Sequence, residues 1–452
     1  MRTRVSLFAV LLLLAGVAGS RAADTITNNK LYYEPDTRVP MTSLSLVFHG
    51  GGSQQETEEL AGLADVTAGL LFRGTPSLTR EQISTKFELL GADVNAGASQ
   101  ADFVINISCF SRNLDDVLDL VATIMNDADF PQTELDLVRK QQLNGLDAAL
   151  QSADGVLSEA SDYVAYGGSR FGKFGSKAAL NRITRDDVLR CWDNVRRTSV
   201  LYFTSISNLP EDAIAKKTEL FTKARRTDGF QLQPDVAFKV PKGREAFIVS
   251  SAGATNDRLR WSSKGITATD RRRFDLDLVL DALGSSQGLL FDILRGKNGW
   301  CYGAYAWNQR GTDEPGRINY YADPTPETSG KLIPEMLKLI QTFPDNPDFQ
   351  EGLARRNAAF KNRYAYQLDP RFKLASMVNR DRYGIPILTK EEYYAKVDAV
   401  TLASAKKTVQ EVFDTKDLFM VFYGDVERLK PILQKTDPSI KVTVLDKEVL
   451  VQ

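Results

Sequence analysis

Histidine is all but missing from this chain. Among 452 residues there is one, His49, so no metal site built on two histidines can exist within a single chain. A Ser-His-Asp or Cys-His catalytic set could be assembled only around that residue. Cysteine is nearly as scarce. Cys109, Cys191 and Cys301 are an odd number, scattered along the chain, and no two have zinc-ligand spacing. A disulfide scaffold is excluded, at most one bridge can form, and buried thiols packing as small hydrophobes are expected. Surplus charge is absent too, with 57 Lys and Arg against 58 Asp and Glu. That balance argues against a nucleic acid partner. The densest basic cluster, TDRRRFD at 269–275, reads as a solvated helix start.

Long apolar runs are limited to the beginning. MRTRV, then SLFAVLLLLAGVAG, then SRA before Ala23 form the basic, apolar and small-residue pattern of a leader peptide over residues 1–22. The run is too short to span a bilayer. A mitochondrial transit peptide ranks second, because it would be amphipathic rather than continuously apolar. Cleavage near Ala22 would give an exported chain, periplasmic or otherwise, and would move the formal charge from −1 to −4 by removing Arg2, Arg4 and Arg21.

What is present is a globular composition, 43% hydrophobic and 25% charged, with length for about two to four domains. The chain also contains itself twice. GLLF at 69–72 recurs at 288–291, and DF at 129–130 recurs at 348–349, at one common offset. RITRDDVLRCWDNV (182–195) matches AVTLASAKKTVQEV (399–412) in helical pattern at nearly the same offset, and VLYFTSISN and LFMVFYGD follow in step. Ordered matches at a constant offset indicate duplication.

Within the first half, MTSLSLVFHGG reads as a strand that places His49 at its end beside a glycine turn, where a structural role is expected. ELAGLADVTAGLLF has helical apolar spacing at Leu60, Leu63, Val66 and Leu70. REQISTKFELLG is a helix closed by Gly91, and ADVNAGAS with ADFVINISCFS forms a hairpin. NLDDVLDLVATIMND is a helix with Asn113 as its cap, and another runs from Gln132 to about Leu150. Strands and helices segregated in this way predict an α+β fold, two tandem α/β-sandwich domains. The expected division is an N-terminal domain over 23–221, a polar linker with two prolines over 222–246, and a C-terminal domain over 247–452.

Taken together, HGGGSQQE, GLA…LLFRGT, LGADVNAGAS and LRGKNGWCYGAYA make the chain resemble the pitrilysin/insulinase family of zinc metallopeptidases. The likeness is to its two-domain members, which include mitochondrial processing peptidase subunits and respiratory-complex core proteins. It implies two sandwich domains joined as a clam. In active members the helix carries H-x-x-E-H, two histidine ligands and a general base. Here those five positions read Asp65, Val66, Thr67, Ala68 and Gly69, and the window for the third ligand, QLNGLDAAL at 142–150, holds only Asp147. Two aspartates make a poor zinc site. The resemblance therefore implies a chain with no catalytic residue and no metal of its own.

The second half keeps what the first has lost. The family pattern L-R-x-x-x-G-x-x-Y is matched by LRGKNGWCY, with Arg295, Gly299 and Tyr302. The spacing reads as a helix ending at Arg295, a turn at Gly299 and a strand starting at Tyr302 and facing a cleft. A guanidinium and a phenol so placed could hold substrate carbonyls or an oxyanion. Equally, an arginine suits any helix C-terminus and a tyrosine any strand. Two further matches have bland alternatives. GSSQG at 284–288 could touch peptide backbone or simply open a helix, and Asn95 could lie near an active centre or fix a strand edge.

Three readings follow. The first is a non-catalytic subunit of a heterodimeric zinc metallopeptidase, lending Arg295 and Tyr302 as substrate-binding groups to a partner chain that holds the zinc and cleaves peptides or unfolded proteins. The second is a stand-alone peptide-binding or scaffold protein. A hydrolase with some other site comes last, since one histidine leaves little to build it from.

Overall fold

The computed structural model describes residues 29–167, 176–222, 237–311 and 314–451. The stretch read as a leader peptide, with its expected cleavage site, lies outside them. So does most of the stretch read as a linker, whose last three residues open a strand.

Alternation of apolar and polar residues builds the first sheet. Its strands are β1 (Lys30–Pro35), β2 (Met41–His49), β3 (Ala92–Ala98), β4 (Asp102–Phe110) and β5 (Val200–Ser207), in the order β1-β5-β2-β4-β3. Leu44, Leu46 and Phe48 of β2, Phe103, Ile105 and Ile107 of β4, and Leu201 and Phe203 of β5 point to one face. There they pack on helices Leu63–Leu70, Leu114–Asp127, Gln132–Ala149 and Arg185–Thr198. The second sheet comprises β6 (Arg244–Ser250), β7 (Arg258–Lys264), β8 (Cys301–Gln309), β9 (Arg317–Pro324), β10 (Leu418–Gly424) and β11 (Lys441–Leu445). Its order is β11-β6-β10-β7-β9-β8. Without β11 this repeats the first sheet strand for strand. β6 pairs parallel with β10 as β1 does with β5, and β3 and β8 are the matching edges. The duplication read from the offsets is thus a duplication of topology.

Each sheet has a second face, and the other half covers part of it. Helix Pro370–Tyr383 of the second half lays Leu374 and Val378 on Tyr32, Val200 and Tyr202 of the first sheet. Helix Ala153–Tyr166 of the first half lays Val156, Leu157 and Ala160 on Val249, Phe419 and Val421 of the second. Full burial of each such aliphatic side chain is worth roughly 1.5–3 kcal/mol, so the exchange ties the halves together well beyond a linker. Polar contacts fix its register. Arg317, 2% exposed, donates to Asp162 Oδ1 at 2.5 Å and to the Ser161 carbonyl at 3.2 Å. Lys30 pairs with Asp381 at 2.6 Å, and Arg382 pairs with Asp102.

Local expectations for the first half were met with one exception. Thr79 and Gln82 form the capping box of helix Arg80–Leu89, and Gly91 follows it at φ +60°. Asn113, however, makes no cap for helix Leu114–Asp127. Its amide donates instead to the Leu90 carbonyl at 2.8 Å, tying that helix to the end of the previous one. Cys109 and Cys301 are buried, Cys191 is partly so, and all three are free.

Candidate functional site

The duplicated topology creates two equivalent corners. In the first half, helix Leu63–Leu70 packs against edge strand β3; in the second, the repeated LLF turn at Leu289–Phe291 and the turn after it pack against edge strand β8.

At the first corner the chain enters its helix through Gly62, at φ +97°, a conformation that glycine adopts without strain. The Glu56 carboxylate accepts from the Gly62 N–H at 2.8 Å and the Ala64 N–H at 2.5 Å, holding the otherwise unpaired donors of the first turn. Burial pushes the Glu56 carboxyl up to about 7, outweighing those two hydrogen bonds. On the next turns Asp65 is exposed, Ala68 is buried, and Gly69 leaves room in which a Cβ would come 3.2 Å from Val138. Arg73 closes the far end. It donates to the Gly69 carbonyl at 2.7 Å, Glu134 at 3.0 Å and Gln141 at 3.2 Å, pinning the helix to Gln132–Ala149. Asp147, the sole carboxylate of the expected third-ligand window, pairs with Lys177 at 2.6 Å.

The donor set does not fit zinc, and no group of three His, Cys, Asp or Glu residues able to hold a metal exists among the described residues. Cys191, partly buried nearby, offers no reactive thiolate, because burial pushes its thiol up to about 11. His49 ends β2, 1% exposed, with Nδ1 donating to Asp102 at 3.0 Å. Its place is structural.

At the second corner the geometry departs from the reading in one way. Arg295 does not end an α-helix. It lies within a π-helical turn, Asp292–Lys297, a wider winding found frequently at functional sites. Tyr302 stands 74% exposed at the start of edge strand β8. The spacing nonetheless brings the two side chains together. Gly299, at φ +65°, turns the backbone and donates its N–H to the Arg295 carbonyl at 2.9 Å. Arg295 donates to the Cys301 carbonyl at 3.2 Å, and its guanidinium lies 5.6 Å from the Tyr302 ring centroid, within cation–π range. No carboxylate among the described residues pairs with Arg295, so most of its five N–H donors point outward to solvent.

The smaller matches resolve differently. Asn95 lies exposed on β3 and accepts from the Asn106 amide at 3.2 Å across the β3–β4 pair, the strand-edge role. GSSQG has the G-x-S-x-G spacing of a nucleophile elbow. It leaves a helix, Arg273–Gly284, rather than a strand, so the strand–turn–helix context of an elbow is absent. The chain's one histidine is buried in the other half, out of play as its base. Arg273 of the TDRRRFD cluster also departs from expectation: Arg271 is exposed, but Arg273 turns inward to line a cavity. Among the described residues no helix is long and apolar enough to cross a membrane.

Comparison with known proteins now adds to the geometry. Residues 31–171 match the family described as Insulinase (Peptidase family M16), and residues 182–353 match the Peptidase M16 inactive domain. An uncharacterized zinc protease of Rickettsia felis is 22% identical over 314 residues, 69% of this chain and 75% of that protein. A Helicobacter pylori protein named as a non-peptidase homolog is 27% identical over 141 residues, 30% of this chain and 32% of its own length. The crystal structure of a peptidase M16 inactive domain from Pseudomonas fluorescens superposes with a TM-score of 0.74 at 18% identity, covering 88% of this chain and 96% of that one. Two tandem domains of this type, with the zinc-binding residues replaced, make this chain a catalytically degenerate member of the insulinase family, peptidase family M16.

Proposed function

We propose that this chain is the zinc-free subunit of a heterodimeric metallopeptidase, exported after cleavage of its leader and paired with a family member that bears the zinc. The observation that carries the reading is the Arg295–Tyr302 unit. The two side chains are preorganised against one another, unpaired with any carboxylate and open to solvent. An arginine kept for its own half's stability would more commonly be drawn into an ion pair, as Arg356 is. Set against a partner's zinc site, the guanidinium would bind a substrate carbonyl or carboxylate and the phenol would donate to developing negative charge. Zinc would belong to the partner alone, and peptides or unfolded proteins would be the substrate.

The test is to purify the mature chain from its native cells and identify what accompanies it at equal stoichiometry. A family member with H-x-x-E-H is expected, and Arg295→Ala with Tyr302→Ala should then lower the peptidase rate of the pair without breaking it. An unchanged rate in that double variant would overturn the reading. A stand-alone peptide binder or scaffold is the second reading, favoured by the unpaired outer edges of β3 and β8, which could each accept an added strand. A chain that purifies alone or as a homodimer would select it.

A further inference from the structure

A further cavity lies at neither corner. It has a volume of about 770 Å³, in the size range of small-ligand sites, and it lies in the second half between helix Arg273–Gly284, the Ala306–Asn308 end of β8 and the segment linking helices Pro347–Asn362 and Pro370–Tyr383. Tyr302, at the other end of β8, takes no part in it.

Two features of its wall point to a ligand. The first is aromatic. Phe274, Trp307, Phe360, Tyr364 and Tyr393 line it. Tyr366, Leu368 and Phe372 stand at it 70%, 64% and 56% exposed, a cluster of large apolar groups in water that has no packing role in this chain. The second is an excess of positive charge. Asp277 pairs with Arg310, and Asp281 takes both Arg356, at 2.5 Å, and Arg363. Of these arginines Arg310 and Arg363 line the cavity, and Arg273 completes the set, so three guanidinium groups of the wall face two carboxylates. Arg273 has no carboxylate partner among the described residues, only the face of Phe274 at 4.9 Å. Its charge is disfavoured first by burial and then by Arg310 beside it. Asn308, also on the wall, has both carboxamide atoms buried and without a hydrogen-bond partner among the described residues.

We propose that this cavity binds the carboxy-terminal end of a peptide whose last side chain is apolar or aromatic. The terminal carboxylate would sit on Arg273 and Arg310, and the side chain among the rings. An amino terminus would bring a cation onto guanidinium groups and is excluded by the same charge count. A neutral internal segment would leave Arg273 as it is, partly buried and unpaired. The site needs no partner chain and does not depend on Arg295 or Tyr302.

The experiment uses the mature chain alone, with fluorescence anisotropy of an amino-terminally labelled hexapeptide ending in phenylalanine. The free acid should bind at least tenfold more tightly than the same peptide with a carboxy-terminal amide. Arg273→Gln should remove that preference while leaving the amide peptide's binding unchanged. Arg295→Ala should bind both as the natural chain does, so failure here is separable from failure of the subunit reading. Equal binding of acid and amide by the natural chain, or no binding of either, overturns the proposal even if Arg273→Gln does not fold. Phenylpropionate competing as effectively as the whole peptide would also overturn it, since the ligand would then be a small acid.

Discussion

Arg382 and Asp102 join the two halves across the open face of the first sheet. Arg382 NH1 donates to Asp102 Oδ2 at 2.8 Å, NH2 donates to the other oxygen, and His49 donates to that same oxygen from the opposite side. The arginine side chain is 5% exposed and the aspartate 16%. Guanidinium of one half, carboxylate of the other and the chain's only histidine thus form one nearly dry chain of hydrogen bonds. A bidentate pair so placed fixes where helix Pro370–Tyr383 comes to rest.

Breaking such a pair from one side should cost more than the pair itself contributes, because the remaining charge stays buried. Arg382→Ala is expected to lower stability by about 3 kcal/mol, whereas Arg38→Ala, whose pair with Asp36 is open to water, should leave it nearly unchanged. Urea denaturation checks both. If Arg382→Ala matched Arg38→Ala, the clasp would be only a surface contact.

The same cluster sets a pH dependence. Burial works to raise the Asp102 carboxyl, but the His49 hydrogen bond and the Arg382 charge outweigh it and hold the group below the ordinary carboxylate value. A carboxylate depressed in the folded state adds stability that is fully present above its unfolded value, about 3.9, and loses it as pH falls through the folded value. Asp102→Asn should therefore be less stable than the natural chain at pH 6 and should lose less of its melting temperature between pH 4 and pH 2.5. Parallel curves over that interval would show that Asp102 is not coupled to folding.

These contacts also mark what could be read from the sequence. The strands holding Leu44, Leu46 and Phe48, or Phe103, Ile105 and Ile107, announce themselves by period-two alternation. The duplication shows in the offset of GLLF, and Arg295 with Tyr302 in their spacing. Each of these signals is local or repeated. The exchange of helices is neither. Leu374 meets Tyr202 far along the chain, and nothing in the helix Pro370–Tyr383 says which sheet it will cover. Asn113 has the residue type of a cap, yet its oxygen accepts from no first-turn N–H and its amide nitrogen donates to the Leu90 carbonyl. Arg273 looks like one of three solvated arginines until the fold places Phe274 beneath it and Arg310 beside it. Tertiary neighbours decide such cases.

The loss of zinc chemistry should prove deeper than the missing motif. Asp65→His, Ala68→Glu and Gly69→His together would restore H-x-x-E-H, but only two nitrogen ligands, and catalytic zinc takes three protein ligands. Helix Gln132–Ala149 supplies none: Asp147 is engaged by Lys177, while Gln141 and Glu134 are engaged by Arg73. A side chain at position 69 also meets Val138 at 3.2 Å. The triple variant is expected to hold less than about 0.1 zinc per chain after dialysis, by atomic emission, because two histidines alone leave the ion open to water. Stoichiometric zinc would mean that a third ligand is within reach after all.

Gly284 gives the last prediction, and it concerns the strand that carries both candidate sites of the second half. The residue ends helix Arg273–Gly284 directly over β8. A Cβ built there would fall 2.0 Å from the Ala306 nitrogen and 2.4 Å from the Ala306 Cβ, so the absence of a side chain is what lets helix and strand touch. Neither obstacle is a flexible side-chain end, and relief requires β8 to move. Because β8 is an edge strand held only by β9, it can shift, and Tyr302 and the cavity wall at Trp307 and Asn308 would shift with it. Gly284→Ala should lower stability by about 3 kcal/mol, the upper range for overpacking. Gly352→Ala, in helix Pro347–Asn362 with nothing within 4 Å of the added carbon, should raise stability by about 0.5–1 kcal/mol. If denaturation found both alanines equally tolerated, the close approach of Ala306 would not be what requires glycine at 284.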